Sequence, residues 1–306
     1  MKEPAAVDIV IVNYFSLKKI QLLLESIKKS KFADGHINVI IVSNSHETIT
    51  EQFKNDADLT FIQNKTNIGF GSACNIALPY CKTDYILLLN PDTLITKNTL
   101  SKCYEFMTSH RDITVLGVKH YNVNNQVVPS CSRFFTLRNQ VNQIFGLSTL
   151  SPKVFKNASV MFDFNYNESG YVDQVMGAFM MIRETFIRQY GFMDERYFVF
   201  GEDMDFCKKV WDNGGKVFYN ADISIIHEGG ASTENISPEK LCYSLEGRLI
   251  YAHKHFNKWK WLLLLLLIII AEPLMRTGWA LFTLQLNKIK ETWLGYFLFL
   301  RRARFK

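Results

Sequence analysis

Short apolar runs alternate with amphipathic segments over the first 120 residues, and this alternation constrains the fold more than any other feature. VDIVIV (7–12) reads as a strand, and LKKIQLLLESIKK (17–29) sets Leu and Ile at helical spacing. INVIIVSNS (37–45) predicts a second strand, LTFIQN (59–64) a short third, SACNIALPYCK a helix and YILLLN the next strand. Strands covered on both faces read as unbroken apolar runs, as these do. The β-α-β-β-α-β order predicts an α/β fold with a Rossmann-like mixed, mostly parallel sheet and helices on its faces. Neither a GxGxxG after the first strand nor a GxxxxGK[ST] occurs, which disfavours a dinucleotide-binding domain and a P-loop.

Further along, a helix is expected over 98–109, a strand in ITVLGVKHY, and a strand passing into a helix in VMGAFMMIRETFIRQYG (175–191). A helix opened by the acidic EDMD should close on Gly214 and Gly215, and KVFYNADISIIHEGG supplies the last one or two strands. The polar and aromatic stretch from Asn122 to Gly170 has too weak a period to assign. Six scattered cysteines without a CxxC pair point to reduced thiols in a cytosolic compartment, and the N-terminus, without a signal-peptide layout, reads as a first strand. The net charge of +6 is unevenly distributed: from His253 onward ten Lys/Arg face two Glu, so residues 1–252 carry about −2. A basic excess confined to the tail argues against nucleic acid as a partner.

The chemistry is sought where core strands end, because open α/β sheets bind ligands beyond the carboxyl ends of their strands. YILLL stops on Asn90, Pro91 and Asp92. Asp92 there is either a turn cap or a ligand for Mg²⁺ or Mn²⁺, ions that take one or two carboxylates together with substrate phosphate oxygens. Glu202, Asp203 and Asp205 crowd three carboxylates into four residues, which suits either a helix N-terminus or a general base with supports. His227 follows an apolar run and precedes two glycines, as a hydrogen-bonded residue or as a ligand.

In order, VIVNYF, VIIVSNS, NIGFGSACNIAL, LLLNPDT, MGAFMMIRE, FGEDMDFCKKV and IIHEGGAS resemble the family 2 glycosyltransferases of GT-A fold, above all rhamnosyltransferase-type enzymes of bacterial polysaccharide and O-antigen assembly. The likeness covers roughly residues 5–255. It implies that Val12, Asn13 and Tyr14, with Ser43 and Asn44, line the nucleotide, and that Asn67, Gly69, Gly71 and Asn75 form the loop around its diphosphate. It implies Asp92 as metal ligand with Asn90 in place of a first carboxylate, Gly177 and Ala178 at the sugar pocket, and Arg133 on the diphosphate or acceptor. Asp203 matches the catalytic base, Glu202 and Asp205 its supports, and His227 a further metal or diphosphate ligand. Two positions depart from the pattern: Ser43-Asn44 stands where an Asp usually reads base or ribose, and Phe15 stands where Asn is frequent. The implied enzyme is inverting and metal-dependent, takes a dTDP- or UDP-sugar (L-rhamnose from dTDP-rhamnose first) and extends a polyprenyl-diphosphate-linked glycan. A non-catalytic membrane-bound scaffold of the same fold is the alternative.

WKWLLLLLLIIIAEPLMRTGWALFTLQL then sets a hydrophobic region, 253–306, apart from the catalytic domain, 1–252. Its first run, Trp261 to Ala271, is shorter than the ~20 residues a span needs, and Glu272, Pro273 and Arg276 should interrupt it. Three readings stand: a helical cap or homo-oligomer contact, a single kinked span over 261–286, and an in-plane or re-entrant anchor. Trp259, Trp261, Trp279 and Trp293 with the flanking basic residues favour the anchor, peripheral or monotopic on the cytoplasmic face of the inner membrane.

Overall fold

The computed structural model describes residues 6–30, 32, 35–47, 59–157, 161, 163–231 and 237–302. The strands are β1 (Ala6–Asn13), β2 (His36–Ser43), β3 (Leu59–Gln63), β4 (Tyr85–Leu89), β5 (Thr93–Ile95), β6 (Ile113–Tyr121), β7 (Val127–Val128), β8 (Cys131–Ser132), β9 (Gly170–Tyr171), β10 (Gln174–Val175), β11 (Phe179–Arg183) and β12 (Lys216–His227). The helices are α1 (Leu17–Lys29), α2 (Phe70–Ala77), α3 (Thr99–Ser109), α4 (Leu137–Ile144), α5 (Leu147–Leu150), α6 (Glu184–Tyr190), α7 (Glu202–Asp212), α8 (Pro238–His255), α9 (Lys258–Phe282) and α10 (Asn287–Arg302).

The chain forms two compact units. The first takes the described residues of Met1–Ser132, Asn165–Glu195 and Asp203–Gly230, the second those of Arg133–Phe164, Arg196–Glu202 and Ala231–Lys306.

The first unit is a mixed sheet in the order β3-β2-β1-β4-β11-β6-β12-β5. β3, β2, β1 and β4 are parallel neighbours, β11 runs antiparallel to both β4 and β6, and β6 and β12 are again parallel. Six strands therefore share one direction, and the carboxyl ends of β1, β2, β4 and β12 lie on one edge. The expected strands and helices in this unit are observed with ends shifted by a residue or two. Their apolar residues form the core, with Ile9, Ile11, Ile41, Leu87, Leu116, Phe179, Met181 and Ile225 all at 2% exposure or less. Gly214 closes α7 with φ +78°, a left-handed conformation that glycine adopts without a Cβ penalty. Gly215 follows where a Cβ would stand 2.6 Å from Thr114 Oγ1.

The second unit explains why residues 122–170 defied assignment. Within that stretch α4 buries Asn139, Gln140 and Asn142, so its inward face is polar and carries no apolar period. Those amides find partners: Asn139 Nδ2 donates to Phe134 O (2.9 Å), Asn142 Nδ2 to Lys156 O (3.1 Å), and Gln140 Oε1 accepts from Arg248 Nε (2.7 Å), while Gln140 Nε2 has no partner among the described residues. Thr136 and Asn139 form a capping box at its start.

Glu272, Pro273 and Arg276 interrupt the apolar run but do not end the helix: α9 continues for 25 residues, with a π-turn just before Glu272. A proline inside a helix loses one hydrogen bond and crowds the carbonyl four residues back, here Ile269. A π-turn over Leu267–Ala271 widens the helix at that point and absorbs the ring. The charges are paired inside the protein: Arg248 Nη1 donates to both Glu272 oxygens (3.0 and 2.8 Å) and Arg276 Nη2 to Glu272 Oε1 (2.8 Å). By length and composition α9 is long and apolar enough to cross a membrane, and only 22% of its apolar window is buried.

Candidate active site

The site grows out of the carboxyl ends of β4 and β12. β4 is wholly buried, and Asn90, Pro91 and Asp92 turn the chain back into β5. Thr93 of β5 pairs with His227 at the end of β12, and Glu228 N donates to Asp92 O (3.0 Å). This pairing sets His227 Nε2 3.3 Å from Asp92 Oδ1. Burial acts to raise the Asp92 carboxyl, but the hydrogen bond and charge of His227, with Lys19, outweigh it and hold the group below the usual carboxylate range. Behind His227 stands His120 of β6, buried, its ring 5.4 Å from the His227 ring. Desolvation and the neighbouring His227 push His120 down to about 3, which keeps its imidazole neutral.

A backbone chain links this turn to the acidic cluster. Asn90 N donates to Ala178 O (3.0 Å), and the neighbouring Gly177 N donates to Asp203 Oδ2 (3.2 Å). Met204 N donates to Asp203 Oδ1 (2.8 Å). Desolvation raises the Asp203 carboxyl and prevails over these amide bonds. Within the cluster Glu202 and Asp205 are 5% and 1% exposed, whereas Asp203 is half-buried. Asp203 is thus the least buried of the three acidic residues.

A second cluster occupies the ends of β1 and β2. Asn13 Nδ2 faces Ser43 Oγ (3.0 Å), Ser45 Oγ (3.1 Å) and Glu47 Oε2 (3.0 Å), and Asn13 Oδ1 accepts from Ser16 N (3.0 Å). Asn44 Nδ2 donates to Gly69 O (3.0 Å) and its Oδ1 accepts from Asn64 Nδ2 (2.9 Å), while Asn67 Oδ1 takes Gly69 N (2.9 Å). Asn44 therefore holds the loop before α2. The carboxylate at this strand tip comes from Glu47, which sequence reasoning missed because an acidic loop residue has no periodic signal. His120 was missed because it sits inside an apolar strand pattern.

Val12 is buried, Gly71 is buried within α2, and Tyr14 is 54% exposed. Asn75 is spent on structure, its Nδ2 donating to Met193 O (3.0 Å) and its Oδ1 accepting from Met193 N (3.1 Å). Arg133 lies in the second unit, where Asp163 grips its guanidinium at 2.8 and 3.0 Å.

Phe15 adopts φ +52°, a left-handed conformation costly for an aromatic residue and tolerated by Asn. The position where the family pattern favours Asn is thus one whose backbone asks for it. Phe15→Asn should raise stability by about 1 kcal/mol, since the ring is 65% exposed and little burial is lost. Calorimetry reads this as a higher Tm; an unchanged or lower Tm refutes it.

The residues present fit a divalent ion. Asp92 and His227 offer oxygen and nitrogen from two strand ends, and Gly229 leaves the space that a Cβ would fill, 2.6 Å from Asp92 Oδ2 and 3.0 Å from His227 Nε2. Among the described residues no group of three or more His, Cys, Asp or Glu side chains gathers for a metal, so further ligands would be phosphate oxygens and water.

Residues 8–183 match the family model described as glycosyl transferase family 2, and the chain belongs to that family. It is 28% identical over 240 residues to rhamnosyltransferase WbbL of Escherichia coli K12, a match covering 72% of this chain and 83% of that protein. Among solved structures, GalNAc-T7 with UDP, GalNAc and Mn²⁺ superposes with a TM-score of 0.59 at 13% identity, covering 85% of this chain and 50% of the other. Staphylococcus aureus TarS 1-349 with UDP gives 0.54 at 20% identity, covering 83% and 67%. These likenesses establish a GT-A-type fold.

Proposed function

We propose that this family 2 glycosyltransferase transfers a sugar, with inversion, from a nucleotide donor to a lipid-linked glycan in cell-surface polysaccharide synthesis. The observation that carries this is the path from Asp92 through Asn90, Ala178 and Gly177 to Asp203, which joins the strand-tip carboxylate to a second carboxylate of raised pKa. Asp203 takes the proton of an acceptor hydroxyl, that oxygen bonds to the anomeric carbon, and the bond to the nucleoside diphosphate breaks on the opposite face. One base and one displacement give inversion. A base whose pKa is lifted toward the working pH serves best, and burial supplies that lift. Gly177 holds Asp203 in place through its N–H. Glu202 and Asp205, being buried, anchor the start of α7.

Asp92 and His227 would hold Mg²⁺ or Mn²⁺. Such an ion supplies charge neutralisation for the leaving diphosphate. Asn13, Ser43, Asn44 and Glu47, with the Asn67–Gly71 loop and the exposed Tyr14, are offered to base and ribose. The likeness to the Escherichia coli rhamnosyltransferase favours dTDP-L-rhamnose as donor. The UDP in the structural neighbours makes a UDP-sugar the competitor. Turnover of a panel of nucleotide sugars, with and without a polyprenyl-diphosphate glycan, tests both. Preferred turnover of a UDP-sugar overturns rhamnose, and no transfer from any donor overturns the activity.

We assign catalysis to residues 1–252 and membrane association to 253–306, monotopic on the cytoplasmic face of the plasma membrane. Trp259, Leu284 and Leu286 are 57%, 83% and 61% exposed and flank the basic Lys258, Lys260, Lys288 and Lys290. Apolar side chains among lysines suit anionic headgroups. Deleting the tail would strip Leu264, Ile268, Tyr296 and Phe299 from the core of the second unit, so the test is surface substitution. A Trp259→Ser, Leu284→Ser, Leu286→Ser triple variant should lose most of its sedimentation with vesicles of phosphatidylglycerol and phosphatidylcholine. Equal sedimentation refutes the anchor.

A further inference from the structure

The second unit contains a cavity of ≈ 860 Å³ lined from α4, α5, α8, α9 and α10. Its size is within the roughly 300–1,000 Å³ common for ligand sites. Ile144, Leu241 and Phe282 give it hydrocarbon walls; of its two cations Arg276 is paired with Glu272, which also lines the cavity, and Lys288 is the other. Lys288 has no ion pair among the described residues. Glu291 also lines the cavity, one turn from Lys288. Outside it, Leu263, Leu266 and Ile270 of α9 are 39–58% exposed.

An apolar hollow with one cation outside any ion pair, Lys288, in its wall matches an amphiphile that has a hydrocarbon body and a phosphate. A bulk bilayer would cover the exposed face of α9 but would not need a concave chamber. We propose that this cavity seats the isoprenoid chain and first phosphate of a polyprenyl phosphate, the lipid end of the acceptor. The inference rests on the lipid-linked acceptor proposed above and adds where in the chain that lipid binds.

Gly278 offers a clean test. It lines the cavity on α9, and a Cβ there meets nothing within 4 Å. A bulky residue would occupy the hollow rather than the packed core, and replacing a helical glycine favours the helix. With the full chain in detergent micelles, a benzophenone-tagged polyprenyl monophosphate should crosslink to α9 and α10 residues that line the cavity. Gly278→Trp should weaken its binding at least tenfold and Lys288→Gln several-fold, whereas Glu291→Gln should tighten it. Inorganic phosphate should not compete, and Gly278→Trp should leave sedimentation with phosphatidylglycerol vesicles unchanged.

Unaltered affinity in Gly278→Trp, or crosslinks confined to the outward residues of α9, overturns the proposal. So does competition by inorganic phosphate alone, or a change of oligomeric state in Gly278→Trp, which would assign the face to a second copy. Binding is read without turnover, so failure of this site and failure of the transferase reading are distinguishable: the latter shows as absent donor turnover in the unsubstituted protein.

Discussion

Asp203→Asn should lower kcat at least a hundredfold while leaving donor affinity nearly unchanged and the protein folded. The three acidic residues of the cluster lie at 202, 203 and 205, and successive residues on a helix point about 100° apart, so one of them faces an incoming hydroxyl squarely. The structure leaves Asp203 half-buried and buries Glu202 and Asp205 almost completely, which identifies the one that can be reached. Loss of a general base costs about 10²–10⁴ in rate. Stability should move little or rise. Desolvation has lifted the Asp203 pKa, so the folded state disfavours its charge, and this penalty is present above the raised value and relieved as pH falls through it. Asparagine removes that penalty and gives up one of the two bonds from Gly177 N and Met204 N. Asp205→Asn, in a fully buried position, should instead lower Tm and act on kcat less. If Asp203→Asn turns over normally while Glu202→Gln or Asp205→Asn is inactive, the base has been misassigned.

The sheet was legible because its strands are buried on both faces and its helices on one, so that burial wrote a period into the sequence. The same rule explains the failures. α4 buries amides in place of aliphatics, so its inner face looks like surface in the sequence. Glu272 and Arg276 look like solvent-facing breaks in an apolar run, but with Arg248 they form a buried ion cluster, and a π-turn accommodates Pro273. At the site, the strand tip and the acidic cluster were visible as carboxylates ending apolar runs. What was not visible was their connection, because it runs through backbone atoms of Asn90, Ala178 and Gly177 that any residue but proline would supply. Glu47 and His120 were hidden for the converse reason: their importance lies in what faces them across the fold. Phe15 is an intermediate case, a departure in residue type that gains meaning only from its positive φ.

Gly229→Ala should weaken Mn²⁺ binding more than tenfold and reduce kcat/KM at least as much, although it adds only one methyl group. A Cβ at this position would stand 2.6 Å from Asp92 Oδ2 and 3.0 Å from His227 Nε2, closer than such atoms approach. Asp92 is the side chain that must give way, because His227 is buried against His120 while Asp92 is only half-buried. Rotating Asp92 breaks its contact with His227 and removes the interaction that holds its carboxyl below the usual carboxylate range. Groups that orient a ligand typically account for 10–100-fold in metal affinity, and here the orientation is that of a ligand itself. Asp92→Ala, which removes the oxygens outright, should abolish turnover and leave the sheet intact. Mn²⁺ titration followed by electron paramagnetic resonance reads the binding step apart from catalysis, and the far-UV spectrum checks the fold. Full turnover of the unsubstituted protein in excess EDTA, or unchanged Mn²⁺ affinity in both variants, would show that Asp92 and His227 are a turn cap and its hydrogen-bond partner.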